Sequence, residues 1–229
     1  MAKQRTLAKE VIISGKGLML GQTVTVAIKP SPENYGIVFQ RIDLEGSSAL
    51  RACPENYQAD LPRCTSIGQG DTKINSVEHL LSALGGTGVD NAQIDVEGPE
   101  LPSLDGSSLP YAKRIMDVGI VEQNADRQFI NIQSPIAVED GDRRLVLLPA
   151  DHFQITCVYD HPQLPTQMAT FLITPETYIS EIAPSRSFCL ASEVDTLRKL
   201  GIGQGASYEN VVVVEDDGSV SSELRFADE

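Results

Sequence analysis

Long apolar runs are missing from this sequence. No segment reaches the roughly 18 consecutive apolar residues that a transmembrane helix needs. The opening residues, MAKQRTLAKEVIISG, also lack the apolar core of a secretory signal peptide. We therefore expect neither a membrane-spanning segment nor a secretory signal.

Cysteines and basic residues are also few. Cys53, Cys64, Cys157 and Cys189 show no Cys-x-x-Cys or metal-site spacing, which favours reduced thiols in a cytoplasmic protein. The 18 basic and 32 acidic residues give a net charge of −14, which argues against a basic nucleic-acid-binding surface. With 229 residues, 41% of them hydrophobic, the composition indicates a soluble globular protein of one large or two small domains.

Strand and helix patterns occur in both halves of the chain. Alternating apolar residues and turn signals predict strands, and amphipathic spacing with proline or glycine at the ends predicts helices. The predicted strands of the first half include residues 23–28, 36–42 and 91–97, and those of the second half include 129–133, 136–139, 144–148, 153–159 and 211–214. Helices are predicted from residue 76, at about 110–117, at 174–182 and at 191–200.

A weak internal repeat indicates two related halves. A strand that ends in apolar-x-Pro and is followed by a polar turn and a returning strand occurs at Ile28-Lys29-Pro30 and again at Leu147-Leu148-Pro149. The polar residues 121–127 between them are predicted to be a linker. We therefore predict an α+β fold of two domains, residues 1–124 and 125–229, each a sheet with helices, packed face to face.

Glu78 and His79 open the first predicted helix, in a chain with only three histidines. Val77, Leu80, Leu81 and Leu84 form its apolar stripe, Asn75 or Ser76 can cap it, and Gly85-Gly86 can end it. With Asn75 as the cap, Glu78 would complete a capping box and His79 would be an exposed polar residue. Alternatively, the positive helix N-terminus favours a neutral imidazole, which suits a metal ligand. The helix alone leaves both interpretations open.

Several motifs occur in the same order as in one enzyme family. They are Ser76-Val77-Glu78-His79-Leu80-Leu81, Gly88-Val89-Asp90-Asn91, Glu100-Leu101-Pro102 with Asp105-Gly106-Ser107-Ser108, Val138-Glu139-Asp140-Gly141-Asp142, Ala183-Pro184-Ser185-Arg186-Ser187-Phe188 and Leu224-Arg225-Phe226-Ala227-Asp228-Glu229. Over nearly the whole chain, the sequence resembles the zinc-dependent UDP-3-O-acyl-N-acetylglucosamine deacetylases of lipid A biosynthesis, which hydrolyse the 2-acetamido group and release acetate. The resemblance also implies two α+β domains with the active site between them, and an insert at about residues 189–214 that lines a passage for the acyl chain.

The resemblance implies a role for individual residues. His79 would be a zinc ligand, Glu78 the general base, and Ser187 a hydroxyl that helps to hold the developing oxyanion. Phe188 would pack near the substrate, which is a UDP-linked acylated amino sugar. We expect the protein to be a cytoplasmic monomer. Arg143 would lie beside the nucleotide diphosphate and Asp105 would support the site. The structural alternatives are a turn hydroxyl for Ser187, a core aromatic for Phe188, a solvated strand charge for Arg143 and a turn aspartate for Asp105.

The sequence departs from the family pattern in two places. Met19 follows Gly15-Lys16-Gly17-Leu18 where the family has His, and a thioether is a poor zinc ligand. The family's later helix with His-Lys-x-x-Asp, which supplies two further zinc ligands, and a later general-acid His are not in the 229 residues. The resemblance places no ligand at His152 or His161, so one ligand remains where about three are needed.

Two hypotheses follow from these departures. In the first, the sequence is part of a longer deacetylase whose second domain lacks its C-terminal part here, so the 229 residues alone are expected to be inactive. In the second, it is a shortened relative that has lost catalysis and binds a nucleotide sugar or a protein partner, as Met19 suggests. A scaffold without a ligand is a third possibility.

Overall fold

A computed structural model describes residues 2–59, 61–162, 164–227 and 229. The strands of the first half are β1 Lys3–Leu7, β2 Val11–Lys16, β3 Thr23–Pro30, β4 Ile37–Arg41, β5 Leu50–Arg51, β6 Tyr57–Gln58, β7 Ser66–Gln69, β8 Thr72–Ile74, β9 Ala92–Glu97 and β10 Ile120–Asp126. Those of the second half are β11 Ile136–Asp140, β12 Arg143–Leu147, β13 Gln154–His161, β14 Leu164–Leu172, β15 Phe188–Leu190 and β16 Val212–Val214. The helices are α1 Glu78–Thr87, α2 Leu109–Val118, α3 Pro175–Thr177 and α4 Ala191–Lys199, with a π-type turn at Tyr178–Ile182 and a 3-10 turn at Pro54–Asn56.

The first half is built on a five-stranded sheet in the order β2-β3-β9-β4-β5. All of its pairs are antiparallel except β4 with β9. Strand β3 alternates as the sequence predicts, and its buried Val26 and Ile28 join Ile94 of β9 in one apolar cluster with both helices. Each such side chain, when fully buried, contributes about 2 kcal/mol to stability. The fold is therefore mixed α and β, with its main core in the first half.

Helix α1 starts and ends later than the sequence predicts. Val77 takes the N-cap position without a side-chain cap hydrogen bond, so the capping box expected from Asn75 and Glu78 is not formed. Instead, Asn75 Oδ1 accepts a hydrogen bond from Ser66 Oγ at 2.8 Å. At the other end the helix runs through the two predicted stop glycines, and Gly88 caps it in the left-handed conformation, which glycine adopts without steric cost. Helix α2 begins and ends within one residue of its predicted bounds.

The predicted linker at residues 121–127 is wrong. Strand β10 covers most of it and pairs antiparallel with β1, with Leu7 opposite Ile120 and Lys3 opposite Asp126. Polar composition misled the prediction because this two-stranded ribbon is largely solvated. The predicted domain boundary after Asn124 falls inside this strand, and the pairing ties the strand to the first half.

The second half begins with two separate hairpins. Strand β11 pairs with β12, and β13 pairs with β14. Apolar side chains on both hairpins are exposed, among them Val138 and Leu145 of the first hairpin and Ile155 and Met168 of the second. Each hairpin forms a sheet of two strands, whereas in the first half β9 lies between β3 and β4.

Residues 174–214 pack onto the first half. The predicted helix at 174–182 is a single helical turn, α3, followed by the π-type turn, and Tyr178 of that turn is buried against α1. A Cβ on Gly86 would lie 2.3 Å from the Tyr178 ring, so glycine permits this contact. Helix α4 ends one residue before its predicted end, and β15 pairs in parallel with β16. No helix among the described residues is long and apolar enough to cross a membrane.

Candidate active site

A cavity of about 300 Å³ lies between the N-terminus of α1, the loop after β2 and the segment from β15 to β16. Its lining divides into a polar group and an apolar group. The polar residues are Arg63, Ser76, Glu78, His79, Ser103 and Ser187, and the apolar ones include Leu18, Met19, Phe188, Leu197, Ile202, Ala206 and Val211. The cavity can therefore hold a ligand with one polar end and one apolar chain.

Glu78 and His79 are the first two residues of α1 and both line the cavity. The helix start is fixed from outside, since Val77 N donates to Thr65 O at 3.1 Å and Thr65 N donates to Glu78 Oε2 at 3.0 Å. Burial lowers the pKa of His79, although the charges of Glu78 and Asp105 act in the opposite direction. The imidazole is thus held neutral, and the carboxylate beside it keeps one oxygen for another partner.

Ser187 comes to this pair from the second half of the chain. Its Oγ lies 3.3 Å from His79 Nε2, and its backbone N donates to Gly106 O at 2.8 Å. Gly106, whose φ is +80°, also permits the close approach of the Asn210 backbone, since a Cβ there would lie 1.8 Å from Asn210 O. The two sequence motifs that contain His79 and Ser187 therefore meet at one point.

Asp105 lies at the edge of the site rather than in the cavity lining. Its Oδ1 accepts hydrogen bonds from Ser107 N and Ser107 Oγ, as expected of a turn aspartate, and its Oδ2 forms an ion pair with Arg225 Nη2 at 2.9 Å. Beside it, Arg186 forms a two-pronged ion pair with Glu229, at 2.7 and 2.8 Å. These pairs fasten the motif at 224–229 to the site; Asp228 of that motif lies outside the described residues.

Of the two other residues with predicted substrate contacts, one lines the cavity. Phe188 opens β15, and its ring meets Tyr159 edge to face with 5.7 Å between centroids. It is 37% exposed, so it is not a core aromatic. Arg143 opens β12 in the exposed first hairpin and is not among the cavity residues. The structure therefore does not bring Arg143 together with the others.

The loop after β2 is held by a residue to which sequence reasoning assigned no role. Glu100 is fully buried and accepts hydrogen bonds from Met19 N at 3.0 Å and Leu20 N at 3.1 Å. Burial raises its pKa, against the effect of these backbone donors. Gln204 N and Gly205 N then donate to the loop carbonyls from the other side. The sequence did contain a signal for this role, because Glu100 is a charged residue in the otherwise apolar segment 99–102.

The remaining histidines lie away from the cavity. His152 Nε2 is 3.4 Å from Gln154 Oε1 on the exposed side of the second half, and His161 stacks on Tyr159. Within the described ranges, no three His, Cys, Asp or Glu side chains are grouped so that they could hold a metal ion. The described residues therefore do not complete a zinc site, and His79 is the candidate ligand that they offer.

The family model described as UDP-3-O-acyl N-acetylglycosamine deacetylase matches residues 4–229. The chain belongs to this deacetylase family. The cavity that contains Glu78, His79 and Ser187 thus belongs to a member of a hydrolase family.

Curated relatives cover the whole of the chain. A UDP-3-O-acyl-N-acetylglucosamine deacetylase from Acidithiobacillus ferrooxidans is 39% identical over 234 residues, which are 100% of this chain and 77% of that protein. Deacetylases of the same name from Geobacter sp. strain M21 and Legionella pneumophila strain Paris are 35% and 39% identical, with 76% and 77% of their lengths covered. The chain thus spans about three quarters of each relative.

Proposed function

We propose that this protein hydrolyses the 2-acetamido group of a UDP-3-O-acyl-N-acetylglucosamine in lipid A biosynthesis, releasing acetate and a free amine. The observation that carries the proposal is the shared cavity, which is lined both by Glu78, His79 and Ser187 and by a set of apolar side chains. An acetamide needs a base and a hydrogen-bond donor, whereas an acyl chain needs an apolar wall. Both requirements are met within one space.

Glu78 acts as the general base in this proposal. It takes a proton from the water that attacks the amide carbon, which requires a carboxylate within hydrogen-bond reach of that water. The hydrogen bond from Thr65 N to Oε2 orients the carboxylate and leaves Oε1 free to face the cavity. Ser187 donates its hydroxyl to the oxygen on which negative charge develops.

The apolar wall takes the acyl chain. Leu197, Ile202 and Val211 belong to the insert at about 189–214, and they line the cavity together with Leu18 and Met19. Phe188 lines the same cavity, where it can pack on the sugar or the first carbons of the chain. Met19 is 3% exposed, so its thioether forms part of the apolar wall at the position where the family has a polar histidine ring.

Arg143 and Asp105 have supporting roles. The exposed Arg143 is available to a diphosphate that extends outside the cavity, since it is not among the cavity residues. Asp105 supports the site through its loop, since its charge raises the pKa of His79 against the effect of burial. Its ion pair with Arg225 keeps that carboxylate in place.

His79 is proposed as one ligand of a zinc ion. Its imidazole is half-buried, and the lowered pKa favours the neutral form, which is the form that binds zinc. Because the described residues do not supply a complete ligand set, the steps above assign chemistry only to Glu78 and Ser187. The alternative of an inactive relative draws no support from the relatives, which are all named as deacetylases.

We also propose the two-domain α+β arrangement, with the site between the two halves of the chain. Because β10 pairs with β1, the boundary predicted after Asn124 moves to the end of this strand. The sequence repeat at Ile28-Lys29-Pro30 and Leu147-Leu148-Pro149 supports related halves, although β3 and β4 flank β9 in one sheet whereas β12 and β13 belong to separate sheets. The four cysteines are free thiols, which supports the cytoplasm as the compartment. A monomeric state stays a prediction.

Acetate release from UDP-3-O-acyl-N-acetylglucosamine, with Zn²⁺ supplied, tests the proposal. Because the described residues leave the zinc ligand set incomplete, the assay uses the complete gene product. We expect it to release acetate, and its Glu78→Gln variant, which keeps the shape but not the basicity, to be at least about 100-fold slower. Equal rates for the two proteins would contradict the role of Glu78. Tight binding of the substrate without acetate release by wild type would favour a binding role instead.

A further inference from the structure

Ser76 combines a strained backbone with an unsatisfied side chain. Its φ is +58°, in the left-handed region that serine seldom adopts. The residue is 8% exposed, it lines the cavity, and its Oγ has no hydrogen-bond partner among the described residues. Buried hydroxyls in native proteins are nearly always paired, so this one calls for a partner from outside the chain.

The neighbours of Ser76 hold it in this conformation. On one side, Asn75 N donates to Pro99 O and Leu101 N donates to Asn75 O, at 2.9 and 3.1 Å. On the other side, Val77 N donates to Thr65 O. The backbone is fixed before and after Ser76, which is the arrangement in which local strain persists at functional sites. A glycine would fit this φ without strain but would carry no hydroxyl.

The other hydroxyls of the cavity already have partners. Ser103 Oγ donates to Lys16 O at 3.0 Å, and Ser187 Oγ lies against His79 Nε2. Arg63 is paired with Glu193. Ser76 thus provides an uncommitted hydroxyl. Because its Oγ is almost completely covered in this conformation, the hydroxyl has to turn toward the cavity by rotation about χ1 to reach a ligand.

We propose that Ser76 is a substrate-positioning residue whose hydroxyl donates a hydrogen bond to the carbonyl oxygen of the 3-O-acyl ester. This inference rests on the proposed function. The ester is carried on the sugar carbon next to the one with the acetamide, so its carbonyl enters the cavity close to Glu78 and His79. Ser76 stands two residues before Glu78, and both line the cavity.

Calorimetric titration of the full chain with two ligands tests this. One is UDP-N-acetylglucosamine with a 3-O-acyl ester, and the other is the 3-O-alkyl ether of equal chain length, which lacks the carbonyl. We expect Ser76→Ala to weaken binding of the ester about fivefold, as the loss of one hydrogen bond predicts, and to leave binding of the ether unchanged. Ser76→Gly, which also relieves the backbone strain, should show the same selective loss.

Ser103→Ala is the matched control, because its hydroxyl is already paired within the chain and any loss should be equal for both ligands. An equal loss for ester and ether in Ser76→Ala, or no loss for the ester, overturns the inference while the proposed function stands. Failure of wild type to bind either ligand overturns both.

Discussion

Ser187 Oγ lies 3.3 Å from His79 Nε2, although 108 residues separate them in the chain. The contact joins the first turn of α1 to the start of β15, and it places a hydroxyl donor next to the imidazole. The site is therefore assembled from both halves of the chain. Its properties can be tested one contact at a time.

Replacement of Ser187 tests the proposed oxyanion contact. Ser187→Ala should lower kcat about 100-fold with little change in KM, because a donor that acts on the developing charge contributes mainly in the transition state. Ser187→Thr keeps the hydroxyl and should retain most of the activity. Steady-state acetate release measures both, and a Ser187→Ala enzyme with unchanged kcat would exclude the contact.

The two adjacent glycines of α1 should respond in opposite directions to the same change. Gly85→Ala meets nothing within 4 Å and should stabilise the helix by up to about 1 kcal/mol. Gly86→Ala would place a Cβ 2.3 Å from the Tyr178 ring and should destabilise the protein by about 1–3 kcal/mol. Urea unfolding measures both, and each variant is the control for the other. Equal shifts would mean that Tyr178 is not packed on α1.

Removal of the Glu100 carboxylate should loosen the loop that carries Met19. In Glu100→Ala, the buried Met19 N and Leu20 N lose their acceptor, and each unsatisfied donor costs about 1–3 kcal/mol. Glu97→Ala, at an exposed position of β9, is the control and should change stability by less than about 0.5 kcal/mol. Thermal unfolding compares them; similar values for the two variants would argue against the clamp.

The Arg186–Glu229 pair should make stability depend on pH. The side chains are 8% and 1% exposed. Burial alone would raise the pKa of Glu229, but the hydrogen bonds from Arg186 and from backbone N–H groups outweigh it and lower the pKa. The stabilisation is therefore complete above the unfolded carboxyl pKa of about 4.3 and is lost as the pH falls through the lower folded value.

Glu229→Gln should accordingly cost about 3 kcal/mol at pH 7, since it leaves Arg186 buried without its ion-pair partner. The difference from wild type should shrink in acid, as denaturant unfolding at pH 7 and pH 3 can measure. Asp126→Asn, which breaks the exposed Lys3–Asp126 pair, should cost less than about 1 kcal/mol. A Glu229→Gln cost that is the same at both pH values would contradict this account.

The sequence predicted five elements of the first half because local pattern and tertiary packing agree there, whereas β1, β2 and the short strands β5 to β8 were not predicted. Apolar alternation located β3, β4 and β9, and amphipathic spacing located α1 and α2. The prediction failed for β10, whose polar residues resemble a linker, and for the cap of α1, where Asn75 bonds to Ser66 instead. Pairing between distant segments decides both cases, and local composition does not report it.

For the candidate site, motif order identified Glu78, His79, Ser187 and Phe188, and all four line one cavity. Glu100 was assigned no role and Ser76 only that of a possible helix cap, although both stand inside quoted motifs. Their importance depends on a positive φ and on complete burial, which a single sequence does not display. The opposite holds for Arg143: the resemblance predicted a substrate contact, but the residue does not line the cavity.

The central claim is that the chemistry and the recognition of the acyl chain share one cavity. The most direct test compares acetate release from UDP-3-O-acyl-N-acetylglucosamine with release from UDP-N-acetylglucosamine, using the same protein with Zn²⁺. Each buried methylene contributes about 0.8 kcal/mol, so we expect kcat/KM to be at least about 100-fold higher for the acylated substrate. Equal kcat/KM values would contradict the claim, because the apolar wall would then take no part in the reaction.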